Sequence, residues 1–506
     1  MTSRRSQSIP LVLTVLVAAL ALTAPAGAST DQFTILQEDR HLLGKGPAVQ
    51  DETLDELDAL GVDVIKFRLD WRGLAPQGDS KPTDFGGEDP ADYPADEWVR
   101  YDRLIRGAKA RGMDIMIMVG GRAPAWAAGD GDSRGIDRPD PIEFKRFLRA
   151  LGTRYSGTYA PAGESALPRV IMWSLWNEVN IEPWLKPQYL NRSTPLAPHI
   201  YRRLFVGGHQ GLTESGHGKD LILIGELAPF ARRGKTYPVK IRPLKFLREM
   251  ACLDDKYRPF KGKAARLRGC NNFKPLPGNG LAYHPYCLPG GPTVLQAHKD
   301  EAAIAEIPRV TKVLDRLYRK GRLQQRKMPV YNTEFAFQTD PPDPFATPIE
   351  RVPGFLGLSE WLAFVNKRVL SWSQYTLVDD PISGSGSKRF SGFQDGLKRA
   401  SGKPKKGVYE AFQMPLFVRL LSSSRVEVFG GVRSADSGGS ATIEIKSGKR
   451  YVPLPGGTVA LGPHGYFRRT FRVSGARGRT FRFRFGDERS RSARPLKVKL
   501  PGAPKN

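Results

Sequence analysis

Beyond residue 28 the sequence has no apolar run long enough to cross a bilayer, so no membrane-spanning helix is expected of the mature chain. It has no zinc-finger spacing and no other nucleic-acid motif, which argues against nucleic acid as a partner. It has no G-x-S-x-G elbow, and Gly384-Ser385-Gly386-Ser387 has the composition of a flexible loop, so an esterase or protease of that type is not indicated. No His, Asp and Cys cluster of the kind that holds a catalytic metal stands out at the strand ends, and neither a metal nor an organic cofactor is expected. Cysteine is scarce, with three in 506 residues. Cys252 and Cys270 flank a basic, polar loop that a bridge could close and are the expected disulfide pair, although spacing alone does not decide pairing. Cys287, for all its nearness to His284, reads as a partly buried bystander.

What is present is the composition of a globular protein, 40% hydrophobic and 10% aromatic, with chain enough for more than one domain. Arg4 and Arg5, an apolar stretch over 9–22 and the small residues Ala26-Gly27-Ala28 form a secretory signal over 1–28, so a secreted product is expected. The formal net charge is +27, and from Met414 onward 19 Lys/Arg face 5 Asp/Glu, about half of the excess. Such a field favours an anionic glycan or cell-envelope surface; a generally Arg-rich composition with solvated faces accounts for it equally well.

The hydrophobic pattern alternates. Strands are expected over 33–36, 62–69, 114–119, 170–176, 221–224, 281–283, 328–332 and 368–372. Helices are expected over 53–60, 96–111, 141–155, 201–212, 244–251, 308–320, 355–365 and 405–412. Alternation implies parallel pairing. About eight repeats closing on themselves give a (β/α)8 TIM barrel over 29–414. A doubly wound sheet is disfavoured because no Gly-rich phosphate turn follows the first strand. From Leu416 the pattern becomes short alternating runs split by Gly, Pro and Ser, an all-β, sandwich-like domain over 415–506 whose last dozen residues form a frayed tail. The RTFRFRF run at 479–485 would put Phe on one face and Arg on the other.

A barrel of this kind carries its active site where the strands end. Those ends present Arg68, Trp126, Asn177-Glu178, Glu226, His284, Tyr286, Glu334 and Trp372. Two glutamates facing each other across a pocket are the equipment for glycosidic bond cleavage: one protonates the departing oxygen, the other attacks the sugar carbon or activates water. Glu226 reads as a structural partner, since a third catalytic carboxylate is not needed. Trp126 is a candidate indole for a sugar subsite.

These residues resemble the retaining glycoside hydrolases of clan A, all of them (β/α)8 barrels, with families 5 and 39 nearest. The resemblance covers roughly residues 31–413. It rests on WNEVN at 176–180, TEF at 333–335, H-x-Y at 284–286 and a closing segment at 392–412 with a D-G turn followed by K-P-x-x. It implies Glu178 as acid/base and Glu334 as nucleophile, with Asn177 on the sugar 2-hydroxyl. It further implies that Tyr286, with His284, and Arg68 support the nucleophile, and that Trp372 floors the sugar subsite. Val179 stands where many relatives have Pro and Ala336 where many have Gly, which leaves family and substrate open. The implied activity is that of a secreted retaining β-glycosidase acting on poly- or oligosaccharides by double displacement. A non-catalytic carbohydrate-binding or cell-surface protein on a hydrolase-like barrel, and a transglycosylase, are the alternatives.

Overall fold

A computed structural model describes residues 32–498, apart from 130–131, 133, 192, 232–239, 288–289 and 436–437. The expected leader at 1–28 and the end of the expected tail, 499–506, lie outside the described residues. Eight short strands form one parallel sheet: β1 Phe33–Gln37, β2 Val64–Leu69, β3 Asp114–Val119, β4 Met172–Leu175, β5 Leu221–Leu227, β6 Gly280–Tyr283, β7 Val330–Asn332 and β8 Ser371–Tyr375. Their order is β8-β1-β2-β3-β4-β5-β6-β7. The two outer strands meet through a parallel bridge, Val330 to Val369, with the Val330 N–H donating to Arg368 O at 2.7 Å, which closes the barrel.

Side chains alternate across each strand. Ile35, Val64, Met116, Leu223, Ala282 and Tyr331 fill the barrel interior as one cluster. Their strand neighbours, among them Leu36, Ile65, Ile117, Ile224 and Leu281, face the helices in a much larger apolar layer. Each such side chain taken fully out of water stabilises the fold by about 1.5–3 kcal/mol. Helix Ala197–Leu212 lies hard against helix Pro141–Arg154. Gly211 permits this, since a Cβ there would stand 2.2 Å from Lys145 O.

The strand expected over 368–372 begins later than that. Val369 is spent on the closing bridge, and the ladder with β1 opens only at Phe33 opposite Ser371. The strand expected over 170–176 stops at Leu175, because Trp176 turns out of it with φ +75°.

Seven further strands, β9 Leu416–Ser422, β10 Arg425–Gly431, β11 Ser440–Ser447, β12 Arg450–Ala460, β13 Tyr466–Arg472, β14 Phe481–Phe485 and β15 Glu488–Arg489, form two antiparallel sheets ordered β9-β10-β13 and β12-β11-β14-β15. They share a core in which Val418, Val428, Ile443, Phe481 and Phe483 are fully buried, and the rings of Phe467 and Phe483 meet edge to face across it at 5.0 Å. Arg482 and Arg484 point the other way, to Glu444. This β region seats on the barrel through Arg433, which donates to Glu360 at 2.5 Å and to Thr34 Oγ1 at 2.6 Å. The Trp361 indole donates to Glu427 at 2.9 Å, and His464 meets Asp63 at 2.9 Å. Thr34 lies at the start of β1 and Asp63 just before β2, so the β region sits where the barrel strands begin.

Cys252 and Cys270 are joined in a disulfide and Cys287 is free. Among the described residues no helix is long and apolar enough to cross a membrane.

Candidate active site

A cavity of about 650 Å³ opens at the ends of the barrel strands. Beyond β4 the backbone takes two left-handed steps, Trp176 at φ +75° and Glu178 at φ +35°, a conformation that costs a bulky residue about 1–3 kcal/mol and persists only where its surroundings enforce it. Here the Trp176 indole donates to Trp184 O at 2.8 Å. Its ring seats on Gly120, where a Cβ would stand 2.5 Å away. The result is that Asn177 and Glu178 both face the cavity.

Beneath them lies a buried charge network. Lys66, 0% exposed, donates to Glu226 Oε2 at 2.7 Å and stands 3.9 Å from Glu334 Oε2. His284 bridges two carboxylates, with Nδ1 3.1 Å from Glu178 Oε1 and Nε2 2.9 Å from Glu226 Oε2. A ring with a carboxylate at each nitrogen donates from both and is an imidazolium. Burial alone would lower its pKa, but the charges of Glu334 and Glu226 and the bonds to Glu178 and Glu226 raise it to about 10. Glu226 would be pushed up by burial; Lys66 and His284 hold it down at about 2. The Ser174 hydroxyl donates to Glu226 as well, at 3.1 Å. Asn177 completes the set, with Nδ2 donating to Glu226 Oε2 at 3.0 Å and Oδ1 accepting from the Trp184 indole at 3.2 Å, the amide orientation that satisfies both ends.

Glu334 leaves the end of β7 and accepts from the Tyr286 hydroxyl at 2.8 Å. Burial raises its pKa, His284 and Lys66 pull it back, and Glu178 and Glu226 add to the rise. Burial of Glu334 thus competes with the nearby cations. Two cations, Lys66 and His284, stand among three carboxylates, so the cluster becomes neutral when it carries one further proton. One mobile proton next to an open cavity is what general acid chemistry requires.

Glu178, Glu334, Asn177, His284 and Tyr286 thus come together. Three other expectations need correction. Arg68 lines the cavity but stands 5.9 Å over the Trp184 ring, and the cations beside Glu334 are His284 at 3.7 Å and Lys66 at 3.9 Å. Lys66 and Arg68 share one face of β2, and Lys66 is the deeper of the two. Trp126 does not line the cavity; its indole donates to Pro76 O at 2.9 Å and its ring packs edge-on against Phe85. Trp372 does not line it either. It is 1% exposed and meets Phe335 at 5.0 Å in the layer facing the helices. Since Ser373 pairs with the interior residue Ile35, Trp372 falls on the outer face, and Tyr375 is the aromatic delivered to the cavity. Trp184, which the strand-end reading passed over, supplies the indole.

Glu178, His284 and Glu334 bring one ligand atom each within 4.8 Å of one another, the spacing of a divalent ion site. Both His284 nitrogens are committed to carboxylates and the Lys66 ammonium stands alongside, so positive charge already fills that role. The other such group among the described residues, His199, Cys252 and Cys270, has its sulfurs tied in the disulfide.

No family model matches the chain, and no curated protein matches it. Among solved structures, a monomeric beta-xylosidase from Caulobacter crescentus CB15 is similar over 88% of this chain and 95% of its own, at 13% identity and a TM-score of 0.46. GH5_18 from Streptomyces cattleya, in complex with GlcNAc, is similar over 76% of this chain and 80% of its own, at 15% identity and a TM-score of 0.47. An exo-beta-1,4-mannosidase from Opitutaceae bacterium strain TAV5 is similar over 75% of this chain and 58% of its own, at 16% identity and a TM-score of 0.42. Identities and scores this low do not carry those activities across, and the site has to be read from its own geometry.

Proposed function

We propose that the chain is a secreted retaining β-glycosidase, hydrolysing O-glycosidic bonds in poly- or oligosaccharides by double displacement. One observation carries the reading: Glu178 and Glu334 present carboxylate oxygens within 4.8 Å of each other at one cavity. That closeness supports the short carboxyl separation of retaining enzymes, about 5–5.5 Å, over the about 6.5–9.5 Å of inverting ones.

In the first step the proton of the cluster passes from Glu178 to the departing glycosidic oxygen while Glu334 attacks the sugar carbon. The C–O bond to the leaving group breaks and a glycosyl ester forms. Glu334 thereby loses its negative charge, and Glu178, now ionised, is held by the His284 imidazolium. In the second step Glu178 takes a proton from water, the water oxygen bonds to the sugar carbon, and Glu334 leaves as a carboxylate. Asn177, fixed between Glu226 and Trp184, is set to hold a sugar hydroxyl. Residues 29–414 form the catalytic body in this reading. Residues 415–506 are an accessory region suited by charge to an anionic glycan or envelope surface, and 1–28 direct export.

The test is mass spectrometry of the mature protein after incubation with activated 2-fluoro glycosides. A covalent adduct on Glu334, absent in Glu334→Gln, is expected. No adduct with any sugar, together with glycan binding that survives Glu178→Gln plus Glu334→Gln, would favour a carbohydrate-binding protein instead.

A further inference from the structure

The wall of the cavity beside β1 and β8 holds a carboxylate oxygen without a hydrogen-bond partner. Asp395 is 5% exposed and lines the cavity, and its Oδ1 has no hydrogen bond. Its neighbour cation cannot supply one. Lys405 is fully buried, and an ammonium has three donors; they go to Asp379 Oδ1 at 2.7 Å, Thr339 Oγ1 at 2.9 Å and Gln394 O at 3.0 Å. The backbone around Asp395 is pinned. Gln374 donates to Asp395 O at 2.9 Å, and the Gly396 N–H donates to Asp379 Oδ1 at 2.9 Å. The other acids lining this wall are satisfied by backbone: Glu38 by Leu377 and Val378, Asp39 by Arg68, and Asp380 by Phe393.

Gln37 repeats the pattern. It is 4% exposed at the end of β1, lines the cavity, and donates through Nε2 to Asp39 Oδ2 at 2.9 Å while its Oε1 is unpartnered. In the ladder it sits opposite Tyr375. Gln37, Tyr375 and Asp395 all line this one cavity. Buried acceptors left unmade are costly, and a group donated from inside the cavity is the partner they lack. Burial, together with the charges of Asp379 and Glu334, pushes the Asp395 carboxyl up against the pull of Lys405, so a donated hydroxyl would restore solvation that the fold removes.

The sign of the cavity narrows the ligand. Among the described residues Glu38, Asp39, Glu178, Glu334, Asp343, Asp380 and Asp395 line it against Arg40 and Arg68, with the Lys66 and His284 cations behind Glu178 and Glu334. It is an acidic cavity in a chain of formal net charge +27. We infer that Asp395, with Gln37, reads hydroxyl groups of an uncharged glycosyl unit and that the cavity rejects uronates; this deepens the glycosidase reading and rests on it for the identity of the ligand as a sugar.

The test is titration of the mature full-length protein, by calorimetry or saturation-transfer NMR, with glucose, mannose, galactose and xylose, and with glucuronate and galacturonate. The monodeoxy forms of whichever neutral sugar binds complete the panel. At least one neutral sugar should bind and its uronate should not. Asp395→Ala should weaken that sugar by about 10- to 100-fold. One monodeoxy form should be weakened in the wild type by a similar factor and lose nothing further in Asp395→Ala. Asp395→Asn keeps an acceptor oxygen and the shape of the wall, so it should lose less than Ala, and it carries the same cycle if Ala does not fold. Equal losses for every sugar and deoxy sugar, a uronate bound as tightly as its neutral counterpart, or no neutral sugar bound at all would each overturn the inference. None of these titrations requires turnover, so trapping at Glu334 judges the catalytic reading separately.

Discussion

Replacing Lys66 by Met removes the cation at the floor of the cavity while nearly conserving volume. Lys66 is 0% exposed, with Glu226 at 2.7 Å and Glu334 at 3.9 Å. Deleting one partner of a buried ion pair strands the other, at a cost of about 3–5 kcal/mol. The pH dependence follows from Glu226. Its pKa is held at about 2, against an ordinary 4.5, by Lys66 first and His284 second. A carboxyl depressed in this way contributes stability that is complete above its unfolded value and is lost as pH falls toward the folded one. Without Lys66 burial raises the same carboxyl, so the deficit of Lys66→Met should be full near neutral pH. It should shrink on acidification, as Glu226 takes up a proton in the folded state. Urea unfolding followed by Trp fluorescence, compared at pH 7 and pH 5 with the slope m unchanged, reads both quantities. The double variant Lys66→Met/Glu226→Gln removes both charges and should recover much of the loss. A single variant within about 1 kcal/mol of wild type at pH 7, the range of an exposed ion pair, would refute the account. So would a deficit that grows on acidification.

Other perturbations have equally definite outcomes. The His284 pKa rises from 6.5 to about 10 on folding, so its contribution is complete below 6.5 and is lost as pH rises through 10; thermal stability should fall on that alkaline limb, and His284→Gln should flatten it. The Cys252–Cys270 bridge spans 18 residues, and opening it by Cys252→Ser plus Cys270→Ser should cost about 3 kcal/mol in denaturant unfolding, matched by reduction of the wild type. Trp184→Ala should weaken sugar binding with a small change in Tm. Trp372→Ala should do the reverse, costing about 3–5 kcal/mol and leaving binding intact.

The barrel was legible because each strand is covered on both faces and each helix repeats its apolar stripe, so Ile307–Arg319 and Asp114–Val119 fall within a residue of where periodicity puts them. Glu178 and Glu334 were legible because a carboxylate ending a buried strand has few places to go. The misses have separate causes. Lys66 and Arg68 lie two residues apart and so share a face, and periodicity cannot say which level of the barrel a side chain reaches. Trp372 was misjudged because closure of the barrel takes up Val369 and delays the ladder, so the strand runs on to Tyr375 and Trp372 is not its end residue. Trp126 is held by Pro76, 50 positions away, a contact with no local signal. Asp395 is revealed only by what fails to reach it, because the three donors of Lys405 all go elsewhere.

The seating of the C-terminal β region carries a consequence for orientation. Arg433, Glu427 and His464 fix it to Thr34 and Glu360, to Trp361 and to Asp63, at the end of the barrel opposite the cavity. An anionic surface gripped by that basic region would therefore meet the closed base of the barrel, while the acidic mouth opened the other way. The protein would stand on such a surface as a mast, collecting uncharged ligand from the solvent above it instead of from the material under its foot.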